Sequence, residues 1–288
     1  MNIQWYPGHM TRAKRKLEEQ LKWVDIILEL ADARLPLSSR NPLLNQLLGT
    51  KQRLLLLNKS DLADKVRTEQ WVTMLKKDGP VLAISSTTSI GIKNIVPLLE
   101  KLMTEKRERL AARGVRERPI RVMVVGIPNI GKSTLINQLT GGSQAKTGNK
   151  PGVTRGNQWV RIHDKVELLD TPGMLWPKFD DPEVGRKLAV TGAVRDEVFD
   201  QEELALWLLK WLKANYPQDL AGFYKLTAEE MTEAERSDEN ESESGFGLEL
   251  IGRKRGCLIS GGRIDTFKAA QIFLREFRSG KIAKVTMD

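Results

Sequence analysis

Gly126 to Ser133 reads G-I-P-N-I-G-K-S, a set of residues suited to holding phosphate. Glycines at both ends let the backbone turn tightly, so that several N–H groups converge on an anion. Lys132 follows as a cation of the right reach for the β- and γ-phosphates, and the Ser133 hydroxyl is a hard oxygen ligand suited to magnesium. Asn129, Ile130, Gly131 and Thr134 complete the set expected around the phosphates. The apolar run Ile120 to Val125 predicts a strand before this loop, and Thr134 to Leu139 a helix after it. Strand, glycine-rich loop, Lys-Ser and helix together are the context a P-loop requires, and the helix N-terminus adds positive potential.

A second constellation selects a base. Asn58-Lys59-Ser60-Asp61 follows the short apolar strand Arg53 to Leu57. The Asp61 carboxylate can accept from both N1–H and the 2-amino group of guanine. Adenine lacks that donor pair and would leave the carboxylate unsatisfied. Asn58 fits a role at the guanine O6 and in bracing the loop, and Lys59 can lie along the base. Ser85 and Ser86, at the end of the next strand, are expected to supply backbone or hydroxyl contacts to the base. Asp170-Thr171-Pro172-Gly173 closes a further strand. Four residues alone are a weak signal, but the three constellations together point to GTP and GDP.

The elements that must position these groups alternate. Asp25 to Ala31, Arg53 to Leu57, Val81 to Ile84 and Ile120 to Val125 read as strands; Asp64 to Lys77 and Ile92 to Arg113 read as helices between them. That alternation predicts an α/β fold with a parallel or mixed sheet flanked by helices. Thr11 to Val24 reads as a helix with basic first turns. Asp32 to Pro42 reads as a polar, proline-broken loop, Gly141 to Gly156 as a loop closing over a ligand, and Asn157 to Leu169 as a hairpin around His163-Asp164. From about Pro177 the pattern turns to helices without strands. The expected organisation is a nucleotide-binding domain over residues 1–177 and a small all-α domain over 178–288.

The 288 residues carry a net charge of +9, of which one stretch, Ala228 to Gly245, accounts for eight acidic residues and one arginine. The remainder therefore holds +16, an excess that suits a polyanionic partner beyond one nucleotide. A generally basic, solvated surface is the plainer reading. The single cysteine, Cys257, excludes an intramolecular disulfide and suits a reducing cytosol. The N-terminus has no apolar signal core and no run of about 18 apolar residues occurs, so a cytoplasmic protein with no membrane association is expected.

The base reader and its serine partner precede the P-loop, while Thr154 and D-T-P-G follow it. In this order the chain resembles the circularly permuted GTPases. W-Y-P-G-H-M, D-A-R-L-P-L-S-S-R-N-P, G-I-P-N-I-G-K-S, P-G-V-T-R-G and D-T-P-G are together similar to the ribosome biogenesis GTPase A family (the YlqF branch), over about residues 1–177. The resemblance implies GTP hydrolysis and a role in late assembly of the large ribosomal subunit, with ribosomal RNA and proteins as partners; a monomer is the default for a switch that docks on a large particle. Within that frame magnesium would be held by Ser133, by Thr154 in the triphosphate state and through water by Asp170, and the Gly173 N–H would report the γ-phosphate.

Met174 stands where many GTPases place a water-orienting glutamine, so hydrolysis by the chain alone is expected to be slow. Two substitutes are available. Asn129 occupies the P-loop position that, in potassium-activated GTPases, helps hold K+ against the phosphates, where it would offset transition-state charge. His9, on a Pro-Gly turn, is a candidate to orient water when a partner swings it in; a turn residue positioning the first helix or touching RNA is the rival role. Among functions, a ribosome-bound switch stands against a GTP-dependent regulator of a protein partner and an ATP-using P-loop kinase. Asn58 and Asp61 disfavour the kinase.

Overall fold

The computed structural model describes residues 15, 17–49, 51–141, 159–169, 181–232 and 246–288. These fall into two compact units, one ending at residue 169 and one running from 181 to 287.

The first unit is built on a six-stranded sheet. β1 (Ile26–Asp32), β2 (Gln52–Asn58), β3 (Val81–Ala83), β4 (Ile120–Val125), β5 (Trp159–His163) and β6 (Val166–Leu169) lie in the order β3-β2-β1-β4-β6-β5. All neighbours are parallel except β5, which pairs antiparallel with β6. β1 reads I-I-L-E-L-A-D and is buried along its whole length, as a central parallel strand covered on both faces must be. Ile27, Met123, Val125 and Leu169 form one apolar cluster with Leu44 and Leu48, and Ala31, Leu55 and Leu57 form a second with Ala63 and Leu75. Alternation puts Ile26, Leu28, Leu30, Leu54, Leu56, Val122 and Val124, all buried, on the opposite face. Glu29, inside β1, is nearly inaccessible and is held by both nitrogens of an Arg40 fork at 2.9 and 3.2 Å.

Helices α1 (Pro42–Leu48), α2 (Lys65–Leu75), α3 (Ile95–Ala111) and α4 (Lys132–Leu139), with helical residues 17–21 before β1, flank the sheet. α1 begins at the end of the stretch expected to be a loop. Proline at its first position costs no hydrogen bond, and Leu44 and Leu48 carry it into the core. α2 is capped by Asp64, which accepts from Arg67 N. The helix expected from Ile92 starts with a 3-10 turn, Ile92–Asn94, before α3.

The second unit contains α5 (Pro182–Val190), α6 (Gln201–Asn215), α7 (Pro217–Tyr224), α8 (Phe246–Arg255) and α9 (Thr266–Arg278). Aspartates 181, 200 and 265 cap α5, α6 and α9. Leu204, Leu208 and Leu212 of α6 and Phe273 and Phe277 of α9 fill its core. Arg278 ties the unit together by pairing with Asp196 at 2.7 Å and donating to the Ala189 and Val190 carbonyls. Among the described residues its only departure from helix and loop is one β-bridge, Leu258 with Ile264. No helix of the described residues is long and apolar enough to cross a membrane.

Candidate nucleotide site

The site is assembled at the carboxyl ends of β1, β2, β3 and β4, where an open parallel sheet exposes its loops to a ligand. Asp32 and Asn58 are register partners at the ends of β1 and β2. β4 lies on the other side of β1, so one strand separates the base-reading loop from the phosphate loop.

The loop after β4 turns immediately. Gly126 passes so close to β1 that a Cβ there would stand 2.8 Å from the Leu30 carbonyl. Asn129 adopts a left-handed conformation, φ 56°, and Gly131 caps α4 at φ 100°. Ile130 is buried and pins the loop down. Lys132 opens α4, and its Nζ donates to the Gly126 and Ile127 carbonyls at 3.1 and 2.6 Å. Burial holds its pKa down at about 8. A phosphate placed among the loop N–H groups would supply the missing negative charge. Ser133 and Thr134 lie exposed in the first turn of α4, toward which the loop opens. A serine hydroxyl, a threonine hydroxyl and a water-linked carboxylate are all hard oxygens, and magnesium carried on substrate phosphates needs only one or two protein ligands. The exposed Ser133 hydroxyl is one such ligand and suits that ion.

Asn58 is the joint of the site. It is 1% exposed. Its Nδ2 donates to the Ile130 carbonyl at 2.8 Å, and its Oδ1 accepts from Ser86 N and Ser86 Oγ at 3.0 and 2.9 Å. Both acceptor lone pairs and one of its two N–H groups are thereby engaged in bracing the loops. Ser86 thus serves through Asn58, and Ser85 Oγ accepts from Thr88 N, shaping the turn that carries both serines. Asp61 sits in a 3-10 turn, Ser60–Leu62, fixed to the end of β3 by Ser60 N donating to the Ile84 carbonyl at 3.0 Å. Asp61 is partly exposed.

Sequence reasoning missed one support. Lys59 is left-handed at φ 59°, and its Nζ stands 3.2 Å from Asp32 Oδ2. Asp32 is also gripped by the Arg34 fork, Nε to Oδ1 at 2.9 Å and Nη2 to Oδ2 at 2.8 Å. Burial works against the Asp32 charge, but Arg34 and Lys59 outweigh it and hold the carboxyl well below the usual range. Burial lowers the Lys59 pKa, with Asp32 opposing. Asp32 and Arg34 belong to D-A-R-L-P, and a charged pair two residues apart at a strand end was the available signal.

His9, Thr154, Asp170 and Gly173 lie outside the described residues, as do Met174 and nearly all of the Gly141–Gly156 loop. His163 is exposed in the β5–β6 hairpin, where its Nδ1 accepts from Lys165 N.

Comparison with known proteins extends this geometry. Residues 121–233 match the family model described as a 50S ribosome-binding GTPase. The ribosome biogenesis GTPase A of Bacillus cereus is 43% identical over 291 residues, covering 100% of this chain and 94% of its own. The mitochondrial ribosome-associated GTPase 1 of Mus musculus is 36% identical and covers 99% of this chain and 89% of its own. Among solved structures, GDP-bound YlqF superposes with a TM-score of 0.63 at 26% identity, covering 95% of this chain and 98% of its own. GNP-bound YlqF from T. maritima gives 0.59 at 26%, covering 96% and 97%.

Proposed function

The chain belongs to the ribosome biogenesis GTPase A family, and we propose that it is a cytoplasmic switch that docks on the large ribosomal subunit late in assembly. It is a GTPase of ribosome biogenesis. Asn58 is the observation that carries the switch reading, because one side chain holds the base-reading loop to the phosphate loop and so fixes the span that a guanine nucleotide must bridge.

Asp61 reads the guanine edge, the P-loop N–H groups and Lys132 hold the phosphates, and Ser133 with Thr154 and Asp170 would hold magnesium. That ion, when bound, neutralises charge on the β- and γ-phosphates. Asn129 would help seat potassium beside them. Residues 1–177 act as the circularly permuted GTPase domain, and 178–288 as the helical RNA-binding domain. D-T-P-G leads directly into the helical domain, so loss of the γ-phosphate at Gly173 is felt there. The chain works as a monomer. Its hydrolysis is slow until the subunit completes the site, with His9 the candidate to orient water.

Co-sedimentation with purified ribosomal subunits tests the docking. Binding to the large subunit with a non-hydrolysable GTP analogue, and weak binding with GDP, supports the reading. Equal binding in both nucleotide states, or none, refutes it.

A further inference from the structure

The opposite end of the strands, where β1 begins, carries a group that the nucleotide site does not use. Asp25, just before β1, is buried, and Lys106 of α3 reaches it at 2.9 Å. Arg118, in the connection from α3 to β4, grips both of its oxygens at 2.8 and 3.1 Å. Lys51 Nζ donates to the neighbouring Val24 carbonyl at 2.7 Å. Three cations thus meet around one carboxylate. Burial and then the nearby Lys106 charge hold the Lys51 pKa below its usual value, a sign that the cations repel one another. Lys106 and Arg118 each keep nearly half of their side-chain surface in solvent. Beside them, in the turn into β1, Lys22 is exposed and Trp23 leaves 56% of its surface to water.

We propose that this end of the sheet, Trp23 with Lys22, Lys51, Lys106 and Arg118, binds an unpaired segment of structured RNA, the indole stacking on a base and the cations taking flanking phosphates. The RNA occupant rests on the ribosomal reading above. The chemistry favours it on two counts. Excess positive charge around a single saturated carboxylate matches a polyanion, and an exposed flat aromatic among cations matches the π-face and phosphate of an unstacked nucleotide. The seven residues of β1 separate this end from the nucleotide loops by about 20 Å, so both ligands fit at once.

The test uses the full chain loaded with a GTP analogue and a fluorescein-labelled RNA hairpin with an unpaired loop. Trp23→Ala is expected to weaken binding about fivefold or more, and Trp23→Phe to restore most of it. Lys51→Ala with Lys106→Ala should shrink the slope of log affinity against log salt by about one to two. Guanine nucleotide affinity should stay unchanged in all three variants, which also shows that they fold. Wild-type failure to bind the hairpin, or variants binding like wild type, overturns the proposal. Variants that lose the large subunit yet keep the hairpin would mean that a protein meets this surface, which also overturns it. Variants that keep both, while wild type still co-sediments in the GTP state, would leave the switch reading standing without this surface.

Discussion

A Cβ on Gly131 would stand 2.4 Å from Asn58 Nδ2, so the phosphate loop and the base-reading loop meet with no room for another carbon. The contact joins residues far apart in sequence, and β1 runs between the strands that carry them. It makes the site one rigid cradle rather than two independent loops.

Gly131→Ala should separate the halves of that cradle. Its φ of 100° is also unfavourable for alanine, and the combined strain is worth about 1–3 kcal/mol. GTP and GDP affinities should both fall about tenfold or more, with the melting temperature only a few degrees lower. Titration with a fluorescent GDP checks this. Affinity within twofold of wild type would mean that the loops adjust freely.

Base selection is read by exchange. Asp61→Asn presents an amide in place of a carboxylate, which suits xanthine's N1–H and C2 carbonyl. GTP affinity should drop about a hundredfold or more, while xanthosine triphosphate gains. If the variant keeps its GTP preference, another group reads the base.

Asp32 should be a pillar of stability. Asp32→Asn leaves Arg34 and Lys59 short of their buried counter-charge, a loss of about 3–5 kcal/mol by denaturant unfolding. The carboxyl pKa is lowered by folding, so its contribution is fully present above about pH 4 and is lost as pH falls below that. Wild type should therefore lose stability faster than the variant between about pH 4 and 2. Parallel loss in both would mean that the Asp32 charge does not stabilise the fold.

Lys132 gives a proton signature. Its pKa is about 8 in the free protein, and a neighbouring phosphate raises it again. GTP binding at pH 8.5 should take up most of one proton, and affinity should weaken as pH rises from 8 toward 10. Stability of the free protein runs the other way. The unfolded chain holds more protons in that window, so the fold gains as pH rises. Calorimetry in two buffers of different ionisation heat reads the uptake, and identical heats would refute it.

The parts of the site visible in the sequence were those with local signatures. Gly126 to Ser133 and Asn58 to Asp61 each announce a loop by residue type, and β1, β2 and β4 announce strands by mostly apolar runs. Pairing across distance was not legible. Nothing around Asn58 shows that its acceptor is filled by Ser86 and its donor by the Ile130 carbonyl. Arg34 reads as an exposed loop residue, yet it is 2% exposed because Asp32 neutralises it. Glu29 likewise interrupts an apolar strand, and only the fold brings Arg40 to it. Pro42–Leu48 is too short for helical periodicity to declare itself.

GTP turnover in potassium buffer shows whether this GTPase waits for the large ribosomal subunit. With purified large subunits added, turnover should rise about tenfold or more above a slow intrinsic rate, and sodium in place of potassium should blunt it. Unchanged turnover, with tight GTP binding intact, would mean that the large subunit does not complete the site.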